Sequence, residues 1–239
     1  REGNQITPNM IDRAKIAIER YYDEKGFKNA EINIIQRDDV AETNSLILDI
    51  NVDKKEKVKV NKIYITGNSA LEEKQLKWAM KKTNEKGNIR HFFRPKKFIA
   101  NLYDEDKQLL IGKYNEHGYR DAHIVVDSVV PYDDKTVDVY IQVEEGNQYH
   151  IRDINWVGNT VYESEGLSEM LRMSAGDVYN QKKLNERVSM DEDAIGNDYY
   201  NQGYVFYMLD PVETNIVGDS IDLEMRISEG PQATINKVR

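Results

Sequence analysis

Four histidines (His91, His117, His123 and His150) and two acidic triplets, Asp104-Glu105-Asp106 and Asp191-Glu192-Asp193, are the side chains of this 239-residue chain best suited to proton transfer or cation binding. Their spacing does not assemble a reaction. No histidine pair has metal-ligand spacing, and no HExxH, GxSxG or phosphate-loop pattern occurs. With no cysteine, thiolate catalysis, disulfides and cysteine-held zinc are excluded. No cofactor or metal is expected.

Charge narrows the partners. The chain carries 33 Lys+Arg against 42 Asp+Glu, a net charge of −9, and a surface of that sign opposes a phosphate backbone, so no nucleic-acid partner is expected. No apolar run approaches the roughly 18–20 residues of a membrane-spanning helix.

The elements that hold these side chains recur. Tyr22-Asp23-Glu24-Lys25-Gly26-Phe27, Tyr114-Asn115-Glu116-His117-Gly118-Tyr119 and Tyr199-Tyr200-Asn201-Gln202-Gly203-Tyr204 form three aromatic-glycine-aromatic corners. Each is followed by a run alternating apolar and polar residues: Leu46, Leu48, Ile50, Val52; then Val137, Val139, Ile141, Val143; then Ile221, Leu223, Met225, Ile227. A period of two predicts a strand with one buried and one wet face, the wet face carrying Asp138, Asp222 and Glu224. Ile63-Tyr64-Ile65-Thr66-Gly67-Asn68-Ser69 matches Ile154-Asn155-Trp156-Val157-Gly158-Asn159-Thr160. Gly-Asn ends a strand there, and Ser69 or Thr160 is expected to cap a helix with Glu72 or Glu163 completing the box.

The unit read from the two complete copies is β-α-α-β-β. A strand (60–66, 151–157) leads to a short helix (70–82, 161–173) and a second helix (97–116, 180–201). Two strands follow (119–127 and 136–143; 204–210 and 220–228). The fold class is therefore α+β: tandem domains, each a three-stranded mixed sheet with two helices on one face. Expected boundaries are 1–57 for the back part of one domain, 58–147 and 148–231 for complete domains, and 232–239 for the first strand of another. The acidic triplets fall on second helices, where a solvated face is expected. Asp106 and Asp191 take equivalent places, which favours structure over a unique active site. The alternative class, an enzyme with carboxylate chemistry on those helices, would have to repeat it.

This order of elements resembles the polypeptide-transport-associated (POTRA) repeat over essentially the whole chain. The Gly-Asn turns, the Gly-aromatic corners and the exits Val143-Glu144-Glu145-Gly146 and Ile227-Ser228-Glu229-Gly230 carry the resemblance. Parts of at least four repeats look most like the periplasmic arm of an outer-membrane protein assembly factor, from the end of its second to the start of its fifth POTRA domain. Arms of translocation or two-partner secretion transporters are the alternative. The resemblance implies a place at the periplasmic face of the outer membrane, in a protein anchored by its own C-terminal membrane β-barrel, which lies outside this sequence. It implies unfolded outer-membrane β-barrel proteins as clients and accessory assembly lipoproteins as partners. One departure is a longer stretch between the helices of the second copy, within Lys82–Pro95.

Binding then belongs to sheet edges. A strand following a Gly-aromatic corner is expected at an edge, where its free N–H and C=O groups can pair with an extended client. Parity points Ala122, Ile124 and Val126 inward with His123 and Val125 outward, and Val205, Tyr207 and Leu209 inward with Phe206 and Met208 outward. His123, Ile124, Val125, Phe206 and Met208 are the candidate client or partner contacts; packing against a neighbouring repeat is the other reading of Phe206 and Met208. Phe92 and Phe93 are candidate loop contacts, Tyr149 and His150 candidate junction residues, and Trp156 a core residue.

Overall fold

The computed structural model describes residues 6–87 and 96–234. Two compact units divide it. The first takes the chain to Asn68, then Glu72–Leu110 and Ile124–Val143. The second takes Ser69–Leu71, Ile111–His123 and the chain from Glu144 onward.

The first unit begins with α1 (Pro8–Glu24). Thr7 caps it by accepting from the Met10 N–H, and Pro8 fills the first turn, where no N–H is needed. β1 (Glu31–Asp38) and β2 (Leu46–Asp53) pair antiparallel as a two-stranded sheet. A second sheet has the order β3-β5-β4, built from β3 (Lys59–Thr66), β4 (His123–Asp133) and β5 (Thr136–Glu144), with β3 parallel to β5. The alternating face of central β5 is sealed: Val137, Val139 and Ile141 are at most 2% exposed, with Leu76 of α2 (Glu73–Ala79) and Tyr103 and Leu110 of α3 (Ala100–Asn115) also buried. On β2 the equivalent Leu46, Leu48 and Ile50 remain 38–48% exposed. One helix over a two-stranded sheet cannot close a core.

The second unit holds the end of α3 with its corner, and a sheet of order β6-β8-β7: β6 (His150–Val157), β7 (Met208–Val217) and β8 (Ser220–Ser228). β8 is central, parallel to β6 and antiparallel to β7. Its inward Ile221, Leu223 and Met225 meet Leu167 and Leu171 of α4 (Ser164–Leu171), Leu184 of α5 (Gln181–Asn185) and Ile195 and Tyr199 of α6 (Ile195–Asn201) in one cluster. Trp156 belongs to it, its Nε1–H donating to Ser168 at 2.8 Å.

Several expectations need correction. The second helix of the third copy is not continuous over 180–201. A π-helical segment (Glu186–Met190) and a break separate α5 from α6. The cause is Arg187, 4% exposed, whose guanidinium needs acceptors: the Met170 and Asp193 carbonyls and the Asp191 and Asp193 carboxylates supply them, three of them from the break itself. β4 and β7 begin about four residues later than their pattern suggests, because the chain first turns, with Ala122 N–H on the Tyr119 carbonyl and Tyr207 N–H on that of Tyr204. Val205 therefore lies in a turn and is 51% exposed, and Val126, on an outermost strand, is 53% exposed; neither points inward.

Neither Ser69 nor Thr160 is a helix cap. The N-caps are Glu72 and Glu163. The exit glutamates take the donors instead: Glu145 accepts the Ser69 and Ala70 N–H groups, and Glu229 those of Thr160 and Val161. Asp138 is not on a wet face. It is 7% exposed and holds a bulge in β3 through the Asn61 side chain and the Lys62 N–H.

Asp106 is likewise fully buried rather than solvated, and accepts the N–H groups of Lys81, Lys82 and Thr83 that follow α2. Removing it would strand three donors. Asp106→Ala is expected to lower the first unit's unfolding free energy by about 3 kcal/mol in urea titrations, and Asp106→Asn by less.

Candidate functional site

Strand order places β4 and β7 at the edges of their sheets, so each presents one side of its backbone to solvent. Both are launched by a glycine corner. Gly118 and Gly203 adopt φ of +86° and +88°, which lets Tyr119 and Tyr204 turn back and donate N–H to Tyr114 and Tyr199. The rings meet edge-on at 6.0 and 5.9 Å, with Tyr114 and Tyr199 fully buried. Within the second unit the corner at Gly203 thus fixes the direction in which the chain leaves toward β7.

The same corners receive the start of the following repeat. The Gly26 carbonyl accepts from Val58 N–H, Gly118 from Tyr149 and Gly203 from Ala233. Side-chain amides of Gln148 and Gln232 donate to the preceding carbonyls, those of His117 and Gln202. At the middle corner, inside the second unit, Tyr149 is buried and its hydroxyl donates to Asp121 at 2.6 Å. Arg120 pairs with Asp121 and, at 2.5 Å, with Glu213 of β7, which also accepts from the Tyr179 hydroxyl. The Glu213 carboxylate raises the Arg120 pKa further, and the hydrogen bond to Asp121 raises that of Tyr149. His150, half-buried, donates its N–H to the Asp219 carbonyl. Sequence reasoning singled out Tyr149 but not its partners Arg120, Asp121, Tyr179 and Glu213. Only Arg120-Asp121, an adjacent charge pair directly after a corner, left a trace.

On β4, His123 is exposed, its Nδ1 against the Asp121 carbonyl and Nε2 3.7 Å from Glu144; Ile124 is half-buried and Val125 is 48% exposed. Around the start of β7, Phe206 and Met208 are 66% and 64% exposed, flanking buried Tyr207, whose ring stacks on Tyr199 at 4.2 Å. Phe206 packs so closely over Gly230 that a Cβ there would stand 3.0 Å from its own; Asp121 has the same relation to Gly146, at 3.3 Å. Phe92 and Phe93 lie outside the described residues. Among those described, no group of three or more His, Asp or Glu could hold a metal ion, and no helix is long and apolar enough to cross a membrane.

The repeat matches known proteins. A family model described as a surface antigen variable number repeat, POTRA, matches residues 58–146 and again 149–230. A putative outer membrane protein assembly factor of Treponema pallidum is 23% identical over 202 residues, 82% of this chain and 23% of the relative. The outer membrane protein assembly factor BamA of Nitratidesulfovibrio vulgaris is 23% identical over 243 residues, 99% of this chain and 30% of the relative. The chain thus spans under a third of either. Among solved structures, POTRA domains 3–5 of Haemophilus influenzae BamA superpose with a TM-score of 0.51 at 18% identity, covering 94% of this chain and 82% of that one. That likeness extends to the mixed three-stranded sheets and their helices.

Proposed function

The chain belongs to the POTRA family, and we propose that it forms part of the periplasmic arm of a barrel-anchored outer-membrane protein assembly factor. In this reading its sheet edges receive unfolded outer-membrane β-barrel proteins, and accessory lipoproteins dock on the same arm. In the same reading residues 1–57 belong to the back part of one domain, 58–147 and 148–231 are complete domains, and 232–239, most of which lie outside the described residues, belong to another.

The observation that carries this reading is the pair of outermost strands, each without a neighbour on one side and with exposed apolar side chains beside it: Val125 on β4, Met208 on β7. An extended segment of any sequence can pair with such an edge, because the backbone supplies the bonds and alternate side chains only tune them. Each contact is weak, and several edges in one chain raise the effective concentration for the next. The names of the relatives support the cellular setting. Because Phe206 aligns with Asp121, which reaches the following repeat, this reading takes Phe206 as a junction residue and Met208 as the client contact. Met208→Ser is therefore expected to reduce crosslinking of an unfolded β-barrel client to β7 with thermal unfolding unchanged, and Phe206→Ser to leave crosslinking in place. Unchanged crosslinking in the Met208→Ser/Phe206→Ser double variant would remove this surface from the account.

A further inference from the structure

Two edges that look alike by position differ in their backbones. β7 carries Pro211 opposite Met225, and its pairing with β8 slips by one residue between Glu213 and Asn215, leaving Thr214 as a bulge. Proline has no N–H, so within a sheet its nitrogen belongs on the unpaired side. Backbone directions alternate along a strand, so the groups turned outward with Pro211 are those of Leu209 and Glu213. The middle donor of that outward row is missing, and the bulge bends the strand just beyond it. Both features are ways in which edge strands avoid acquiring a partner.

On β4 the stretch Ile124–Val130 contains no proline; Pro131 stands after it, near the turn to β5. Counted from the corner glycines 118 and 203, Val126 occupies the place of Pro211. Val125, Val126 and Val130 along this stretch are 46–53% exposed, and Asp127 between them pairs with Lys107 of α3 at 2.5 Å.

Resting on the reading that these edges receive extended clients, we propose that Pro211 and the Thr214 bulge close β7 to backbone pairing. An extended peptide then adds to β4 along Ile124–Val130 and meets β7 through side chains alone. Pro211 is in this sense a specificity determinant: it selects which repeat offers a ladder and which offers only a surface.

The test is amide hydrogen exchange, read by NMR on the whole chain, with and without a synthetic peptide of alternating valine and threonine, about nine residues long. Alternate amides within Ile124–Val130 are expected to slow by at least about fivefold, with Leu209 and Glu213 unchanged. Pro211→Val should create slowing at Leu209 and Glu213, and Val126→Pro should abolish it on β4. If Val126→Pro fails to fold, Pro211→Val decides alone. Equal slowing on both edges of the unsubstituted chain overturns the inference and leaves the client reading standing, as does a Pro211→Val chain slowed on β4 only. No slowing on either edge in either protein overturns both.

Discussion

Gly158→Ala is expected to destabilise the second unit by about 4 kcal/mol, while Gly176→Ala costs about 1–2 kcal/mol. The two glycines share a backbone conformation, φ +90° and +91°, so the strain of placing a side chain in the left-handed region is common to both. They differ in what a Cβ would meet. At Gly158 it would stand 2.2 Å from the Ile227 carbonyl oxygen, a backbone atom held in β8; at Gly176 nothing lies within 4 Å. The difference between the variants in urea denaturation isolates the close approach of the Gly-Asn turn to the end of the central strand. Equal losses would mean that the turn needs glycine only for its φ. A Cβ at Gly67 would likewise stand 2.0 Å from the Val143 carbonyl oxygen, so the first unit repeats the arrangement.

Glu229→Ala is expected to cost the second unit a similar amount, about 4 kcal/mol, because it leaves several donors without their acceptor. The carboxylate is 7% exposed and accepts the N–H groups of Thr160 and Val161 at 3.0 Å, the Thr160 hydroxyl and the buried Tyr199 hydroxyl at 2.8 Å. Burial pushes this carboxyl up, but the hydroxyl of Thr160, the two N–H groups and Tyr199 together outweigh it and hold the pKa below the ordinary glutamate value. A depressed folded pKa contributes stability that is fully present above the unfolded value, roughly 4.3, and lost as pH falls through the folded one. Glu229→Gln should flatten that part of the acid-unfolding profile while costing less than Glu229→Ala at neutral pH. An unchanged acid limb would show that the carboxylate does not couple to folding.

These two residues explain why the repeat was legible. The Gly-Asn turn and the Glu-Gly exit lie some 70 residues apart, and in the second unit they form one structure: Gly158 against Ile227, Thr160 and Val161 on Glu229. Alternation in β8 was equally plain, since a central strand buries one complete face. What escaped was set by long-range chemistry. The break after residue 190 follows from burying Arg187, which has no periodic mark. The late starts of β4 and β7 follow from turns that read as continuations of a strand pattern. Asp106 and Asp138 look like surface acids until the backbone donors they serve come into place. The edges themselves were predictable from topology, but the network of Arg120, Asp121, Tyr149, Tyr179 and Glu213 was not, because each member serves a partner in another element.

The central claim is that open strand edges, rather than helix surfaces, receive the client. Its most direct test is a photo-crosslinking scan in the full-length protein with an unfolded outer-membrane β-barrel substrate. Crosslinkers at Ile124, Val126, Ser128 and Val130 on β4 and at Met208 would be compared with Lys74 on α2 and Glu169 on α4. The account predicts adducts along β4 and at Met208, with background levels on the helices. Adducts concentrated on α2 and α4, with the edges silent, would contradict it.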